Sequence, residues 1–330
     1  MEQILSNALG ELLTPMTAAY ALAAIGIAMH FGFTGLLNFG QAAYMLVGAY
    51  AFAMANLAGL GLVPAILLSF AASIVLSLIL GIPTLRLRSD YLAIVTIAAA
   101  EILRFIVSTT GLNDVTGGPQ GLSGFAKEFY ALNPFPVGEY GFWAWTMDEK
   151  GLWVRVVAWS LVILGALFVA QMIRSPWGRV IKGIREDEDA VRSLGKNVYS
   201  YKMQSLIIGG VVGMFSGMIF ALDRGSVQPD NYSRDVTFYV LTALVLGGVA
   251  KVRGSVVGPM MFWGLYVFSD NFLRELTKDK PFSIFGVGII QKAQVGPVNY
   301  MLIGLGLMLL MTFRPQGVFG SKEEMALDGR

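Results

Sequence analysis

Nine long runs of apolar residues constrain this chain more than any other feature of its sequence. An α-helix of about 20 residues crosses the ~30 Å hydrocarbon core of a bilayer, and membrane helices tolerate the Gly and Pro that several runs contain. The runs are residues 14–33, 35–59, 62–85, 91–110, 152–173, 203–222, 236–250, 255–273 and 297–313. The sequence therefore predicts an all-α, polytopic membrane helical bundle with about nine spans, of which the short 236–250 run could be re-entrant or a half-helix.

The charge content agrees with a membrane location and excludes several classes of protein. Charged residues make up 14% of the 330 residues and hydrophobic residues 55%, whereas soluble chains carry roughly 25% charged residues. Disordered chains need low hydrophobicity and high charge, so this composition excludes a disordered chain. Nucleic-acid binding needs a dense basic patch, for which a net charge of +2 leaves little room. The chain has no cysteine and one histidine, His30, so we expect no metal site.

Positive charge is distributed unevenly between the apolar runs. More than half of the 24 Lys and Arg residues fall in four segments, at 86–88, 174–202, 251–253 and 314–330. Nine alternating spans put all four segments on one side of the membrane, which the bias of Lys and Arg in short loops identifies as cytoplasmic. We therefore expect the N-terminus outside and the C-terminus in the cytoplasm.

The spans are expected to pack tightly as one transmembrane domain over residues 1–330. The run at 203–222 carries Gly209, Gly213 and Gly217 at four-residue spacing. A stripe of small residues lets another membrane helix approach closely. We therefore interpret these three glycines as helix-packing residues.

The loop at 174–202 is the most informative polar stretch. Ser175-Pro176 is a helix-start signal, and the residues that follow give one apolar face. A second short helix fits 187–194, because acidic residues occupy its first turn, Arg192 its last, and Gly195 the position after it. The sequence predicts an amphipathic helix pair on the cytoplasmic face, although an ordinary charged loop is the simpler alternative.

No phosphate-binding Gly-x-x-x-x-Gly-Lys-[Ser/Thr] motif occurs in the chain. The nearest candidate, Gly195-Lys196, continues with Asn197 and lacks the upstream glycine. The chain is therefore not expected to be an enzyme or to bind a cofactor, and any ATP would be hydrolysed by partner subunits.

Several blocks of the sequence together resemble the LivM-type permeases of branched-chain amino acid ABC importers. They cover about residues 30–320 in the order of the family. The blocks are Gly35-Leu-Leu-Asn-Phe-Gly40-Gln-Ala-Ala-Tyr44 with Gly48-Ala-Tyr50, Leu85 to Glu101, Asn113 to Leu122, Ser175 to Gly195, Gly247 to Pro259 and Arg314 to Phe319. The resemblance implies a permease of the type II-like class in a bacterial cytoplasmic (inner) membrane. It also implies two ATP-binding subunits, a second homologous permease and an extracytoplasmic solute-binding protein as partners.

Two departures from the family pattern leave the substrate open. The second-span block often has His where Gln41 stands and Ser where Asn38 stands. The segment at 276–296 also reads as an insertion. The resemblance favours branched-chain amino acids, with urea or short-chain amides as the alternative. An ion-coupled secondary carrier or a channel is the rival from another class.

The resemblance extends to the helix pair at 174–202. Asp189-Ala190-Val191, followed by Gly195, is similar to the Glu-Ala-Ala-x-x-x-Gly core of the loop by which ABC importer permeases engage their ATPases, with Asp for Glu and Val for the second Ala. We therefore interpret this loop as a coupling loop. Its candidate ATPase-coupling residues are Glu186, Asp189, Ala190, Arg192, Leu194 and Gly195.

Five polar residues in or near the apolar runs are candidates for the substrate pathway. They are Asn38, Gln41, Thr96, Glu101 and Thr116. Uncharged amides and hydroxyls bind a solute without holding it tightly, as transport requires, and interhelical hydrogen bonding is the structural alternative. Asn38 and Gln41, three residues apart, are expected to share one helical face. A carboxylate in a span is costly, so Glu101 is expected to pair with Arg104, one turn further along the helix.

Overall fold

The computed structural model describes residues 2–85, 89–142, 145–277, 282–284, 287–290 and 294–320. Arg86, Arg88 and the last part of the C-terminal basic segment, residues 321–330, lie outside the described residues. So do nine of the 21 residues of the expected insertion at 276–296.

Long α-helices dominate the described part of the chain. They are α1 (Glu2–Glu11), α2 (Pro15–Ile27), α3 (Gln41–Leu57), α4 (Leu62–Thr84), α5 (Ser89–Val107), α6 (Asn113–Thr116), α7 (Lys127–Ala131), α8 (Glu149–Arg174), α9 (Pro176–Glu186), α10 (Glu188–Ser193), α11 (Val198–Arg224), α12 (Arg234–Gly247), α13 (Val252–Leu276) and α14 (Val295–Phe313). The π-helix Ala28–Phe33 continues α2. The predicted all-α bundle is confirmed.

Within the described residues, three short antiparallel strand pairs form in the connections between the helices. They are β1 (Leu122–Ser123) with β4 (Ser226–Val227), β2 (Glu139–Phe142) with β3 (Trp145–Asp148), and β5 (Phe282–Ile284) with β6 (Val287–Ile290). The register pairs Glu139 with Asp148 in the β2–β3 hairpin and Leu122 with Val227 in the first pair.

Each of the nine predicted apolar runs overlaps one of these helices, but the number of spans stays a prediction. Among the described residues, five helices are long and apolar enough to cross a membrane, or up to seven if two bent helix pairs each count as one span. The bends are 61° between α5 and the helical turns at Thr110–Thr116, and 114° between α12 and α13. At 1.5 Å per residue, the 14 residues of α12 extend only about 21 Å, which is shorter than the bilayer core.

The centre of the bundle is formed by α2, α3, α11 and α13. In α2, the residues from Thr17 to Ile27 are all buried, whereas α14 has only Val295 and Asn299 buried. Small side chains permit the close packing, because every Ala of α2 is fully buried. The bundle therefore has a dense interior around α2 and an apolar periphery, as expected for a polytopic membrane protein.

The connections define two ends of the bundle. The helix α8 follows the β2–β3 hairpin and ends at Arg174, immediately before α9. We call the end that carries α9 and α10 the helix-pair end, and the end that carries residues 139–148 the hairpin end. The helix α2 runs towards the helix-pair end, because Gly32, beyond its C-terminus, accepts a hydrogen bond from Arg185 of α9.

Candidate functional site

The second apolar run is not one helix, as its sequence suggested, but a break followed by a helix. The π-helix ends at Phe33, residues 35–40 have no regular structure, and α3 begins at Gln41. Gly35 adopts a φ of +72°, which favours glycine. The expectation that Asn38 and Gln41 share a helical face is therefore wrong, because Asn38 lies before the helix.

Two threonine hydroxyls from other helices accept hydrogen bonds from the backbone of this break and of the first turn of α3. Thr96 Oγ1 of α5 accepts from Phe39 N at 3.1 Å, and Thr237 Oγ1 of α12 accepts from Ala42 N at 3.0 Å. The first N–H groups of a helix have no intrahelical partner, and leaving one unsatisfied away from water is costly. The hydroxyls therefore make a helix start possible inside the bundle.

Asn38 and His30 connect the break to α11. Asn38 Oδ1 accepts from Gly40 N at 2.9 Å, and its Nδ2 donates to His30 Nδ1 at 3.1 Å. His30 Nε2 lies 3.1 Å from the Leu206 carbonyl oxygen, which only accepts, so this nitrogen carries the proton. Both side chains are buried.

Gln41 lies in a narrow space between α2 and α11. Its Nε2 donates to Ala23 O at 3.4 Å, and Oε1 is buried without a hydrogen-bond partner. A Cβ on Gly26 or on Gly213 would collide with Gln41 Nε2. The absence of side chains at both glycines therefore makes room for this amide.

The three glycines of the α11 stripe face α2 and α3. A Cβ on Gly209 would collide with His30, and one on Gly217 would collide with the Met45 carbonyl. Each glycine thus lies against a residue of the broken second run or the turn before it. The absence of side chains at these positions permits the close approach of α11 to its neighbours.

Glu101 and Thr116 lie away from the break. Glu101 forms the expected ion pair with Arg104 at 2.9 Å and accepts from Arg234 N at 3.0 Å, at the first residue of α12. Arg104 also contacts Asp230 at 2.8 Å. Thr116 Oγ1 donates to Val107 O at 2.8 Å, a local bond that stabilises the loop after α5. The structure therefore brings together Asn38, Gln41 and Thr96 but neither of these two residues.

At the helix-pair end, α9 and α10 pack one face on the bundle and leave the other exposed. Ser175 caps α9, with Pro176 at its first position, and Asp187 caps α10 by accepting from Ala190 N at 2.9 Å. Ile181 and Ile184 are buried. Gly195 has a φ of +76°, so the expected end of the second helix is confirmed.

The candidate coupling residues form the exposed face of this helix pair. Glu186, Asp189, Ala190, Arg192, Leu194 and Gly195 are all exposed, and the Leu194 side chain is 78% accessible. Arg192 pairs with Glu188 and Asp189, each at 2.9 Å, and Lys202 of α11 pairs with Glu188. The helix pair is thus tied to α11 and exposes the large apolar side chain of Leu194 among charges.

Sequence reasoning missed three residues that the structure brings into the site. Thr237 supports the start of α3, Arg185 connects α9 to Gly32, and Glu188 ties α10 to α11. Thr237 and Arg185 act on residues more than 150 positions away in the chain, so no local pattern identifies them. The signal for the break itself was present in the closely spaced Gly35, Asn38 and Gly40.

A family model described as "Branched-chain amino acid transport system / permease component" matches residues 11–312. A permease protein LivM from Salmonella typhimurium is 31% identical over 314 residues, which are 92% of this chain and 68% of the relative. A probable LivM from Methanocaldococcus jannaschii is 26% identical over 92% of this chain and 91% of the relative. A LivH permease protein from Escherichia coli K12 is 24% identical over 79% of this chain and 85% of the relative. The chain therefore belongs to the permease-component family of branched-chain amino acid transport systems and is a multi-pass membrane permease.

Proposed function

We propose that this chain is a permease subunit of an ATP-driven importer of branched-chain amino acids and engages a separate ATPase through α9 and α10. The observation that carries the ATPase contact is the exposed face of the helix pair, with Leu194 projecting beside Asp189 and Arg192. The relatives named LivM and LivH, which are branched-chain amino acid permease proteins, support the substrate class.

The partners follow from the same argument. Because the chain contains no phosphate-binding ATPase motif, ATP hydrolysis requires separate ATP-binding subunits, of which the family resemblance implies two. Similarity to both LivM and LivH proteins supports a second, homologous permease in the complex. An extracytoplasmic solute-binding protein delivers the amino acid.

The orientation follows from the basic segments. The helix-pair end carries Arg174, Arg179, Lys182 and Arg253, and an excess of Lys and Arg in short loops is typical of the cytoplasmic side. We assign the helix-pair end to the cytoplasm and the hairpin end to the outside of a bacterial inner membrane. The chain then starts outside and ends in the cytoplasm.

The face formed by α5, α12 and the break is the proposed wall of the translocation pathway. Tyr91 and Ile94 of α5 and Phe238 of α12 are exposed. Phe39 of the break completes this face, because its ring lies 6.2 Å from that of Phe238. The second permease would cover this face, and the rest of the break lies behind it.

Three of the pathway candidates are buried, so their proposed role is to hold the break and not to contact the substrate. Asn38, Gln41 and Thr96 are at most 1% exposed and form hydrogen bonds with the backbone or with neighbouring side chains. They therefore hold the break in its present conformation, and alternation between outward-open and inward-open states would rearrange it.

Reconstitution into liposomes tests this function. The chain alone and the chain with its second permease, two ATP-binding subunits and solute-binding protein would be compared for uptake of leucine and of urea. We expect leucine uptake only from the full complex with ATP. Urea uptake would favour the amide alternative, and uptake by the chain alone without ATP would favour a secondary carrier or channel.

A further inference from the structure

Gly32, in the π-helix just before the broken second run, contacts the cytoplasmic helix pair. Arg185 of α9 donates from Nη1 to the Gly32 carbonyl oxygen at 2.7 Å. On its other side the Gly32 backbone packs on the Val249 carbonyl in the turn between α12 and α13, where a Cβ would collide. Gly32 is therefore held between α9 and the α12–α13 turn.

The Arg185 bond satisfies a carbonyl that the break exposes. Other carbonyls of the same turn have local partners: Phe31 O accepts from Gly35 N at 3.3 Å, and His30 O accepts from Leu36 N at 2.9 Å. Carbonyls in the last turn of a helix lack intrahelical donors. Gly32 O obtains its partner from α9, through a charged donor, and charged donors form stronger bonds than neutral ones.

A second glycine brings the Arg185 side chain close to the break. A Cβ on Gly35 would lie 3.3 Å from Arg185 Cγ, so the aliphatic part of Arg185 packs beside the first residues of the break. The side chain thus contacts the chain on both sides of Phe33. Displacement of α9 must move these contacts or break the bond to Gly32.

We propose that Arg185 is the positioning residue that transmits movement of α9 to the break at residues 35–40. The proposal rests on the proposed function, in which α9 and α10 move with the ATPases. Arg185 acts through Gly32 and the backbone that follows it, and it is not required for the ATPases to bind. Loss of its bond uncouples ATP hydrolysis from opening of the pathway.

The first test measures coupling in the reconstituted full complex. We expect Arg185→Ala to retain the ATP-binding subunits during purification and to hydrolyse ATP, while leucine uptake per ATP falls at least tenfold. Arg185→Lys, which keeps a cationic donor, should recover part of this ratio. Lys182→Gln removes an exposed cation from the same helix and is expected to leave the ratio unchanged. An Arg185→Ala complex that transports as much leucine per ATP as Lys182→Gln would overturn the proposal.

The second test measures the chemical accessibility of the break and does not depend on transport. Because the chain has no cysteine, Phe39→Cys introduces a single site for a hydrophilic maleimide in the purified chain. Arg185→Ala should change its labelling rate at least threefold, and Lys182→Gln should not. Equal rates in all three backgrounds would overturn the proposal. Failure of the wild-type complex to import leucine with ATP would instead contradict the proposed function.

Discussion

Thr237 and Ala42 lie 195 positions apart in the sequence, yet the Thr237 hydroxyl accepts a hydrogen bond from Ala42 N at 3.0 Å, at the start of α3 inside the bundle. This bond and its counterpart between Thr96 and Phe39 allow a helix to begin inside the bundle, where Gln41 and Ala42 are buried. The irregular backbone that precedes α3 is therefore supported by side chains from two other helices.

Replacing Thr237 by Val should destabilise the protein. Valine has a similar shape but no hydroxyl, so Ala42 N would be left unsatisfied at a cost of about 1–3 kcal/mol. The melting temperature in detergent measures the effect, and Thr237→Ser, which keeps the hydroxyl, is the control. Equal melting temperatures for the Val and Ser variants would show that the hydrogen bond contributes nothing.

The close approach of α11 to α3 predicts a large effect at Gly217. A methyl group there would collide with the Met45 carbonyl, and overpacking of this kind typically costs about 1–3 kcal/mol. Gly217→Ala should lower the melting temperature, whereas Gly304→Ala, at a helical glycine with no atom within 4 Å of the added carbon, should not. Equal stability of the two variants would contradict the packing assigned to the stripe.

Glu101 is expected to stabilise the contact between α5 and α12 and not to bind the substrate. The side chain pairs with Arg104 and caps α12 through Arg234 N, and a glutamine retains an oxygen for the cap. Glu101→Gln should therefore import leucine with an unchanged KM and lose a few degrees of thermal stability at most. A severalfold increase in KM at normal stability would return Glu101 to the substrate pathway.

Burial should make the contribution of Glu11 to stability depend on pH. Desolvation raises the pKa of this carboxyl above its ordinary value of 4.5, although a hydrogen bond from Thr14 opposes the shift. A raised pKa means that the folded state binds the proton more tightly than the unfolded state. The associated stability is present below about pH 4.5 and is lost as the pH rises through the folded-state pKa.

Melting temperatures of the wild-type protein and Glu11→Gln between pH 4 and pH 8 check this expectation. The glutamine variant cannot ionise, so its advantage over the wild type should grow as the pH rises. A difference that is constant, or that shrinks towards pH 8, would contradict it.

Much of the fold follows from hydropathy, but the break does not. The runs at 62–85, 152–173 and 297–313 correspond closely to α4, α8 and α14, because an uninterrupted apolar helix produces an uninterrupted apolar run. The run at 35–59 is also long and mostly apolar, but its helix covers only the 17 residues of α3. Hydropathy reports the environment of a segment, whereas the break depends on hydroxyls supplied from distant helices.

The candidate site could likewise be predicted only in part from the sequence. Local signals identified the helix pair, since the cap at Ser175 and the left-handed Gly195 are determined by neighbouring residues. The roles of Arg185 and Thr237 depend on tertiary contacts that no spacing in the sequence encodes. For Asn38 and Gln41, the polar residue type was informative, but the assumed helical geometry was wrong.

Leucine-stimulated ATP hydrolysis by the reconstituted complex tests the central claim most directly. The wild-type chain is compared with a variant in which Leu194 is replaced by Glu and Ala190 by Trp, two changes confined to the exposed face of α10 and the residue after it. We predict that leucine and the solute-binding protein stimulate hydrolysis with the wild-type chain and that the variant loses at least nine-tenths of this stimulation. Full stimulation with the variant would contradict the account, because the helix pair would then not be the contact through which this permease engages its ATPase.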